Sequence, residues 1–265
     1  MLTYRRMNAK SVGVLLGCMI VLVVGIAGCT GNDQSDVTGT KVYIVGVDGN
    51  YAPYSYIETD GSVTGFDVES VKWIAEKMGF EVKVQPMDWD AMIPSLNANK
   101  IDMVYSGMTI TPERAEQVTF SIPYLRINQS VAINNDSAIT MADIMAGTVV
   151  IGAQRGTTGQ IWVEENLIAN GTMSKDNLKL YDNFPLVITD LQNKRIEASI
   201  YDRPSHLAAI EGKSIHIIGE INTGEEYGVA MRKDDAELQE KINTGLDELM
   251  KDPYWQELLE KYNLA

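Results

Sequence analysis

Arg114 is the residue whose type and placement point most directly to chemistry. It lies five residues after Thr109, in the run Thr109-Ile110-Thr111-Pro112-Glu113-Arg114. Thr111-Pro112 reads as a helix N-cap followed by Pro at the first helical position, so Arg114 falls in a first helical turn. A cation there opposes the helix dipole, and a binding task makes that placement intelligible. The planar guanidinium matches a carboxylate through two parallel hydrogen bonds. The Thr109 hydroxyl and backbone N–H groups of Ser106-Gly107-Met108-Thr109 can complete such a cradle. The alternative is an exposed Arg paired with Glu113 or Glu116.

Two carboxylates have the opposite aptitude. Asp48 and Asp202 each follow a short apolar run, one in each half of the chain. Each could receive an ammonium group, or serve as an ordinary turn or cap residue. Tyr51, Tyr54, Tyr56 and Trp89 lie on or beside loops of the first half. Their rings could stack on a ligand or attract a cation, or simply pack. Gly156-Thr157-Thr158-Gly159 is a turn rich in donors, but with no Lys after it the match to a phosphate loop is weak. His206 and His216 have no ligand spacing and read as structural or exposed. The two cysteines, Cys18 and Cys29, leave little for a zinc site or a disulfide framework. No metal or cofactor is expected. With 36 acidic against 22 basic residues, the formal charge of −14 argues against nucleic-acid binding.

Positioning these residues takes alternating strands and helices. Residues 42–47 form a short β-branched run fit for a buried strand. Val68, Val71, Ile74, Ala75 and Met78 recur at helical spacing, with Gly79 as the C-cap. Residues 81–85 alternate as a strand. Asp88 or Asp90 can cap a second helix carrying Met92, Ile93 and Leu96, and residues 101–105 form the next strand. The pattern restarts with a strand at 148–152, a helix from about Gln160, a helix opened by Asn183-Phe184-Pro185, and a strand at 196–201. Residues 227–231 read as a strand and 235–262 as two helices interrupted at Asp252-Pro253. This is an α/β chain of two similar halves, each with a largely parallel sheet. Ligands of such sheets gather beyond the strands' carboxyl ends, where the loops carrying Asp48, Thr109, Gln154 and Asp202 lie.

The N-terminus reads as an address. Arg5, Arg6 and Lys10 precede an uncharged apolar stretch, residues 12–27, that suits a signal-peptide core better than a membrane span. It closes on Ile26-Ala27-Gly28-Cys29, which resembles a lipoprotein cleavage signal and implies a leader over 1–28 with lipid on Cys29. An uncleaved anchor helix is the alternative. Either way the body lies outside the cytoplasm, tethered to the outer face of the membrane. Residues 29–40 would be the lipidated Cys and a flexible polar linker.

Four stretches now combine. They are Val47-Asp48-Gly49-Asn50-Tyr51-Ala52-Pro53-Tyr54 with Gly65-Phe66-Asp67-Val68-Glu69; Trp89-Asp90-Ala91-Met92-Ile93-Pro94-Ser95-Leu96 with Lys100-Ile101-Asp102-Met103; Gly107 to Arg114 with Phe120-Ser121-Ile122-Pro123-Tyr124; and Gln154-Arg155-Gly156-Thr157-Thr158. In order and spacing they resemble the family 3 solute-binding proteins of polar amino acid ABC importers, over about residues 41–264. The resemblance implies a two-lobed periplasmic-binding-protein-like fold, each lobe a mostly parallel sheet flanked by helices, joined by a two-strand hinge. Lobe 1 would comprise 41–130 and 226–265, and lobe 2 would comprise 131–225.

It also implies roles. Arg114 would bind the ligand α-carboxylate, with Thr109 and backbone around Thr158. Asp202 would hold the α-ammonium with the Gly107 carbonyl and Ser106, in a loop that also contains Met108. Tyr51 and Trp89 would sandwich the ligand side chain, and Asp48 and Gln154 would set selectivity. Gly107 stands where some members carry Ser, which removes a hydroxyl but keeps the carbonyl. Two aromatic faces and Asp48 favour a basic ligand such as arginine or lysine, with glutamine as the second choice. The implied partners are an ABC permease with its ATPase, the protein being a monomer and no enzyme. The competing readings are a dehydratase built on the same scaffold, and a sensor that presents its ligand to a separate receptor.

Overall fold

The computed structural model describes residues 40–265. The leader, Cys18, Cys29 and residues 30–39 lie outside the described residues. Gly39–Ala265 is one compact unit that contains its own core.

The first half runs β1 (Val42–Val47), β2 (Asn50–Tyr51), β3 (Ser55–Ile57), β4 (Val63–Thr64), α1 (Phe66–Met78), β5 (Glu81–Pro86), α2 (Met92–Asn97), β6 (Met103–Val104), α3 (Pro112–Ala115) and β7 (Thr119–Phe120). The second half runs β8 (Leu125–Asn134), α4 (Met141–Met145), β9 (Ile151–Gln154), α5 (Thr158–Val163), β10 (Leu178–Tyr181), α6 (Phe184–Gln192), β11 (Ala198–Asp202), α7 (Arg203–Ile210) and β12 (Ile215–Tyr227). The chain then returns with β13 (Ala230–Met231), α8 (Ala236–Leu249) and α9 (Pro253–Lys261).

Each half holds a five-stranded mixed sheet. The first has the order β5-β1-β6-β13-β7, in which β1 pairs in parallel with β5 and β6 while β13 pairs antiparallel with β6 and β7. The second has the order β10-β9-β11-β8-β12, with β9 parallel to β10 and β11 and with β8 antiparallel to β11 and β12. Both sheets are covered on both faces, which is why their strands read as short continuous apolar runs. In the first half, α1 and α8 cover one face. Gly245 of α8 lets them close up, since a Cβ there would stand 2.4 Å from Ile74 Cγ2. In the second half, Val131, Ile133, Ile151, Ile200, Val163 and Leu167 form a cluster on one face.

β8 and β12 are long paired strands that run out of the second sheet toward the first. The expected lobe borders, 130/131 and 225/226, fall inside these two strands. Neither strand was expected at this length, because their burial does not alternate cleanly along the ribbon. Other expectations shift for local reasons. The strand expected at 148–152 begins at Ile151, because Thr148 instead closes α4 by donating its hydroxyl to the Asp143 carbonyl (3.3 Å). Neither Asp88 nor Asp90 makes a side-chain cap, and a short 3₁₀ turn at Trp89–Ala91 leads into α2. Tyr227 ends β12, and the strand expected at 227–231 is reduced to β13. Gly79, Asn183 and Asp252 cap their helices as their sequence positions suggest.

Candidate functional site

The loops at the strand ends of the two sheets meet across a tight cleft whose cavity volume is about 10 Å³. It is lined by Tyr51, Trp89, Gly107, Thr109 and Arg114 from the first half, and by Thr157, Thr158, Tyr201 and Asp202 from the second. Arg114 is where the Thr111-Pro112 signal places it. The Thr111 side chain accepts the Arg114 N–H, and α3 begins at Pro112. Its guanidinium is buried, donating to the Thr109 carbonyl at 2.8 Å and to the Gly156 carbonyl of the second half at 3.0 Å. Among the described residues no carboxylate forms an ion pair with it. The exposed pairing with Glu113 or Glu116 is therefore not what this side chain does. Burial pulls its pKa down, while the charges of Asp202 and Glu225 oppose that shift.

Asp202 ends β11 and faces Arg114's side of the cleft with a buried carboxylate. Tyr51, Tyr227 (2.8 Å) and Gln129 all donate to it. Burial, and next the charge of Glu225, push its pKa up to about 6, while the three donors pull the other way. An anion and a cation thus stand on opposite halves, each buried and neither paired with the other.

The two expected sandwich aromatics are engaged with these ions. The Trp89 ring lies 5.3 Å from the Arg114 guanidinium carbon, and its Nε1–H donates to the Gly156 carbonyl at 3.1 Å. Tyr51 stacks on Tyr54 (5.0 Å between centroids) and meets the Tyr201 ring edge-on (5.7 Å). Tyr54 is a buried core residue, and Tyr56 lies half-buried at the small antiparallel sheet β2-β3-β4. Asp48 and Gln154 stand behind the cleft wall, joined across the halves: Gln154 Nε2 donates to Asp48 at 3.2 Å, and Tyr201 OH donates to Gln154 Oε1 at 2.8 Å. Burial raises the Asp48 pKa against the Asn50 and Gln154 bonds.

Ser106 and Met108 do not reach the cleft. The Ser106 hydroxyl is buried beneath it, accepting the Asp48 N–H (3.0 Å), and Met108 packs with Met92, Leu96 and Ile101. Between them, Gly107 has φ +55, and a Cβ there would stand 2.5 Å from the Tyr51 ring. The close approach of the Tyr51 ring is one reason for Gly at this position. His206 is fully buried between Ser130 and Ser199, and burial pulls its pKa down to about 3.

Sequence reasoning missed Tyr201, Gln129, Tyr227 and Glu225. Tyr201 directly precedes Asp202, so its strand position was a usable signal. The other three lie on the hinge strands, where no local pattern marks an inward side chain. Asp67 was quoted only as part of a motif. Its Oδ2 accepts the Gly107 N–H at 2.6 Å and the Tyr124 hydroxyl at 3.1 Å, so it holds the binding loop from below.

Burial pushes the Asp67 pKa up to about 8, against both of those bonds. The folded state therefore holds this proton more tightly than the unfolded chain does. Stability is largest below the ordinary aspartate range and is lost as pH rises toward 8. The expected slope is about 1.4 kcal/mol per pH unit within that window. Thermal melts from pH 5 to 8 should show it, and Asp67→Asn should flatten it. An unchanged slope in that variant would assign the effect to other groups.

A family profile described as bacterial extracellular solute-binding proteins, family 3, matches residues 43–265. The chain is 33% identical over 256 residues to the L-cystine-binding protein TcyJ of Escherichia coli (strain K12), covering 94% of each chain. Among solved structures it resembles an ancestral arginine-binding protein bound to arginine, at a TM-score of 0.77 and 35% identity, covering 83% of this chain and 97% of that one. It also resembles the ancestral amino acid-binding protein AncCDT-1, a precursor of cyclohexadienyl dehydratase, at a TM-score of 0.73 and 32% identity, covering 83% and 95%. A match across nearly the whole described body, with a two-lobed fold of the same kind, places this chain in family 3 of the bacterial extracellular solute-binding proteins.

Proposed function

We propose that this protein captures an amino acid outside the cytoplasm and delivers it to an ABC permease by closing its two lobes. The observation that carries the reading is the separation of Arg114 and Asp202. One buried cation and one buried anion on facing lobes are complementary to the carboxylate and ammonium of a zwitterion. Contacts that need both lobes favour the closed form, so ligand binding and closure are one equilibrium.

The charge around the cleft supports a basic side chain. Asp48, Asp202 and Glu225 are buried there, against Arg114 as the buried cation. A zwitterion leaves that excess of negative charge uncompensated, and an arginine or lysine side chain would offset part of it. The dehydratase reading has less support. The carboxylates it would use as acids are already engaged, Asp48 by the Asn50 N–H and Gln154 and Asp202 by the Tyr227 hydroxyl. Cleavage before Cys29 and lipid on its sulfur would tether the body to the outer face of the membrane. Labelled-palmitate incorporation that disappears in Cys29→Ala tests that tether.

The test of the function is a thermal-shift panel on the compact unit Gly39–Ala265, after unfolding and refolding to strip any ligand carried through purification. Arginine, lysine, glutamine, cystine and the other common amino acids are each added in excess. At a hundred times Kd a ligand adds about 2.7 kcal/mol. A selective shift with arginine or lysine is expected. A shift with glutamine or cystine keeps amino-acid capture and overturns the basic preference. No shift with any amino acid overturns the reading.

A further inference from the structure

Glu225 is a buried carboxylate at the end of the hinge strand β12, and neither the family motifs nor the zwitterion cradle uses it. Its placement follows from an irregularity in the hinge. Ile221 pairs with Gln129, yet Glu225 pairs with Ile127, so β12 advances four residues while β8 advances two. Gly224 sits in the left-handed region at φ +58 and donates its N–H to Asn128 Oδ1 at 3.1 Å. This bulge leaves Glu225 on the same face as Ile221 but sets it opposite Ile127, two residues nearer Gln129 along β8 than an unbroken register would.

Three groups meet that carboxylate. Thr109 Oγ1 donates to its Oε2 at 2.7 Å, Thr158 Oγ1 donates to the same oxygen at 2.6 Å, and Gln129 Nε2 donates to Oε1 at 2.9 Å. These donors differ in attachment. Thr109 is bound into the end of β12 itself: it bridges to Tyr227, and its neighbours exchange Ile110 N–H to Glu226 O (2.8 Å) and Gly228 N–H to Met108 O (3.0 Å). Its bond to Glu225 is therefore local and keeps the carboxylate oriented. Thr158 belongs to the other lobe, at the start of α5 after β9. In this structure its hydroxyl reaches across to Glu225.

We propose that Glu225 is a positioning residue that latches the closed form, held ready by Thr109 and engaged by the Thr158 hydroxyl on closure. This rests on the proposed amino-acid capture and adds to it. The ligand joins Arg114 to Asp202, and Glu225 joins the same two lobes through the hydroxyls of two threonines that line the cleft. Its charge also lies close enough to act on both ions, raising Asp202 and opposing the fall in Arg114. A hydroxyl-to-carboxylate bond made only in the closed state should slow ligand release.

The experiment is a double-mutant cycle on Gly39–Ala265, using the amino acid found in the panel. Glu225→Ala and Thr158→Val are each expected to raise Kd on the order of tenfold, mostly through faster dissociation. The double variant should be no weaker than Glu225→Ala alone, since both changes break one bond. Thr158→Val keeps the backbone, and Glu225→Gln keeps the side-chain volume and one acceptor, so its loss should be smaller. Additive losses, or an affinity equal to or tighter than wild type in Glu225→Ala, overturn the latch.

If no amino acid binds the wild type, the functional reading fails by itself, and lobe separation then judges the latch. The unit has no cysteine, since Cys18 and Cys29 precede it, so spin labels can be placed at Lys72→Cys and Lys179→Cys on the two lobes. A longer distance in Glu225→Ala than in wild type supports the latch. An unchanged distance sinks it.

Discussion

Arg114→Ala is expected to weaken amino-acid binding by at least about a hundredfold, the scale of the 3–5 kcal/mol cost of stripping one partner from a buried ion pair. The guanidinium is buried and makes its hydrogen bonds to two carbonyls, one from each lobe. Those bonds fix the direction of the fork and leave its charge uncompensated until an anion arrives. Removing it leaves a ligand carboxylate to be desolvated without a counter-charge. Arg114→Lys should recover only part of the loss, because a point charge cannot reach the Thr109 and Gly156 carbonyls and a carboxylate in one plane. Titration calorimetry reads both variants, and Arg114→Ala binding within tenfold of wild type would remove Arg114 from the site.

The second large effect is on pH. Asp202 stands at about 6 in the ligand-free protein, raised first by burial and next by Glu225. A ligand ammonium favours the ionised carboxylate, so binding is strongest where Asp202 has already lost its proton. Affinity should be flat above about pH 7 and should fall as pH drops through 6, by about tenfold at pH 5. Asp202→Asn should bind weakly at every pH and lose that dependence. A wild-type profile that stays flat down to pH 5, or an Asn variant that keeps the fall, would assign the ammonium to another group.

Much of this site was legible before any coordinates. Arg114 could be placed because Thr111-Pro112 is a local signal, and a cap needs only adjacent residues to declare itself. Asp48 and Asp202 could be found at strand ends for the same reason. The charge excess likewise needs no structure. What could not be read was orientation. Ser106 and Met108 share a loop with Gly107 and Thr109, yet one turns beneath the cleft and the other into the core. Trp89 lines the cleft, but its contact with the Arg114 guanidinium was not foreseen. Glu225, Gln129 and Tyr227 converge on the site from the two hinge strands. Glu225's place along β8 depends on a bulge whose position no periodicity reveals. The long pairing of β8 with β12 was missed for a related reason. A strand whose neighbours change along its length carries no single burial pattern.

That pairing limits how the protein can move. β8 and β12 are laced together by hydrogen bonds on both sides of the irregularity between Ile221 and Glu225, so the ribbon resists sliding and yields most readily where its ladder is broken. On the proposed closure it would behave as a leaf spring that gives most at the wider of its two register breaks, Ile221/Glu225, the lobes swinging as the covers of a book swing about a spine. Displacement then grows with the lever arm. Gln129 and Glu225, on the spine, would travel little, while the half-buried Trp89 and the Gly156 carbonyl it bonds, on loops of the two facing halves, would separate further. In a variant that keeps Trp89 alone of the four tryptophans, the indole's emission would therefore be an in-built angle gauge.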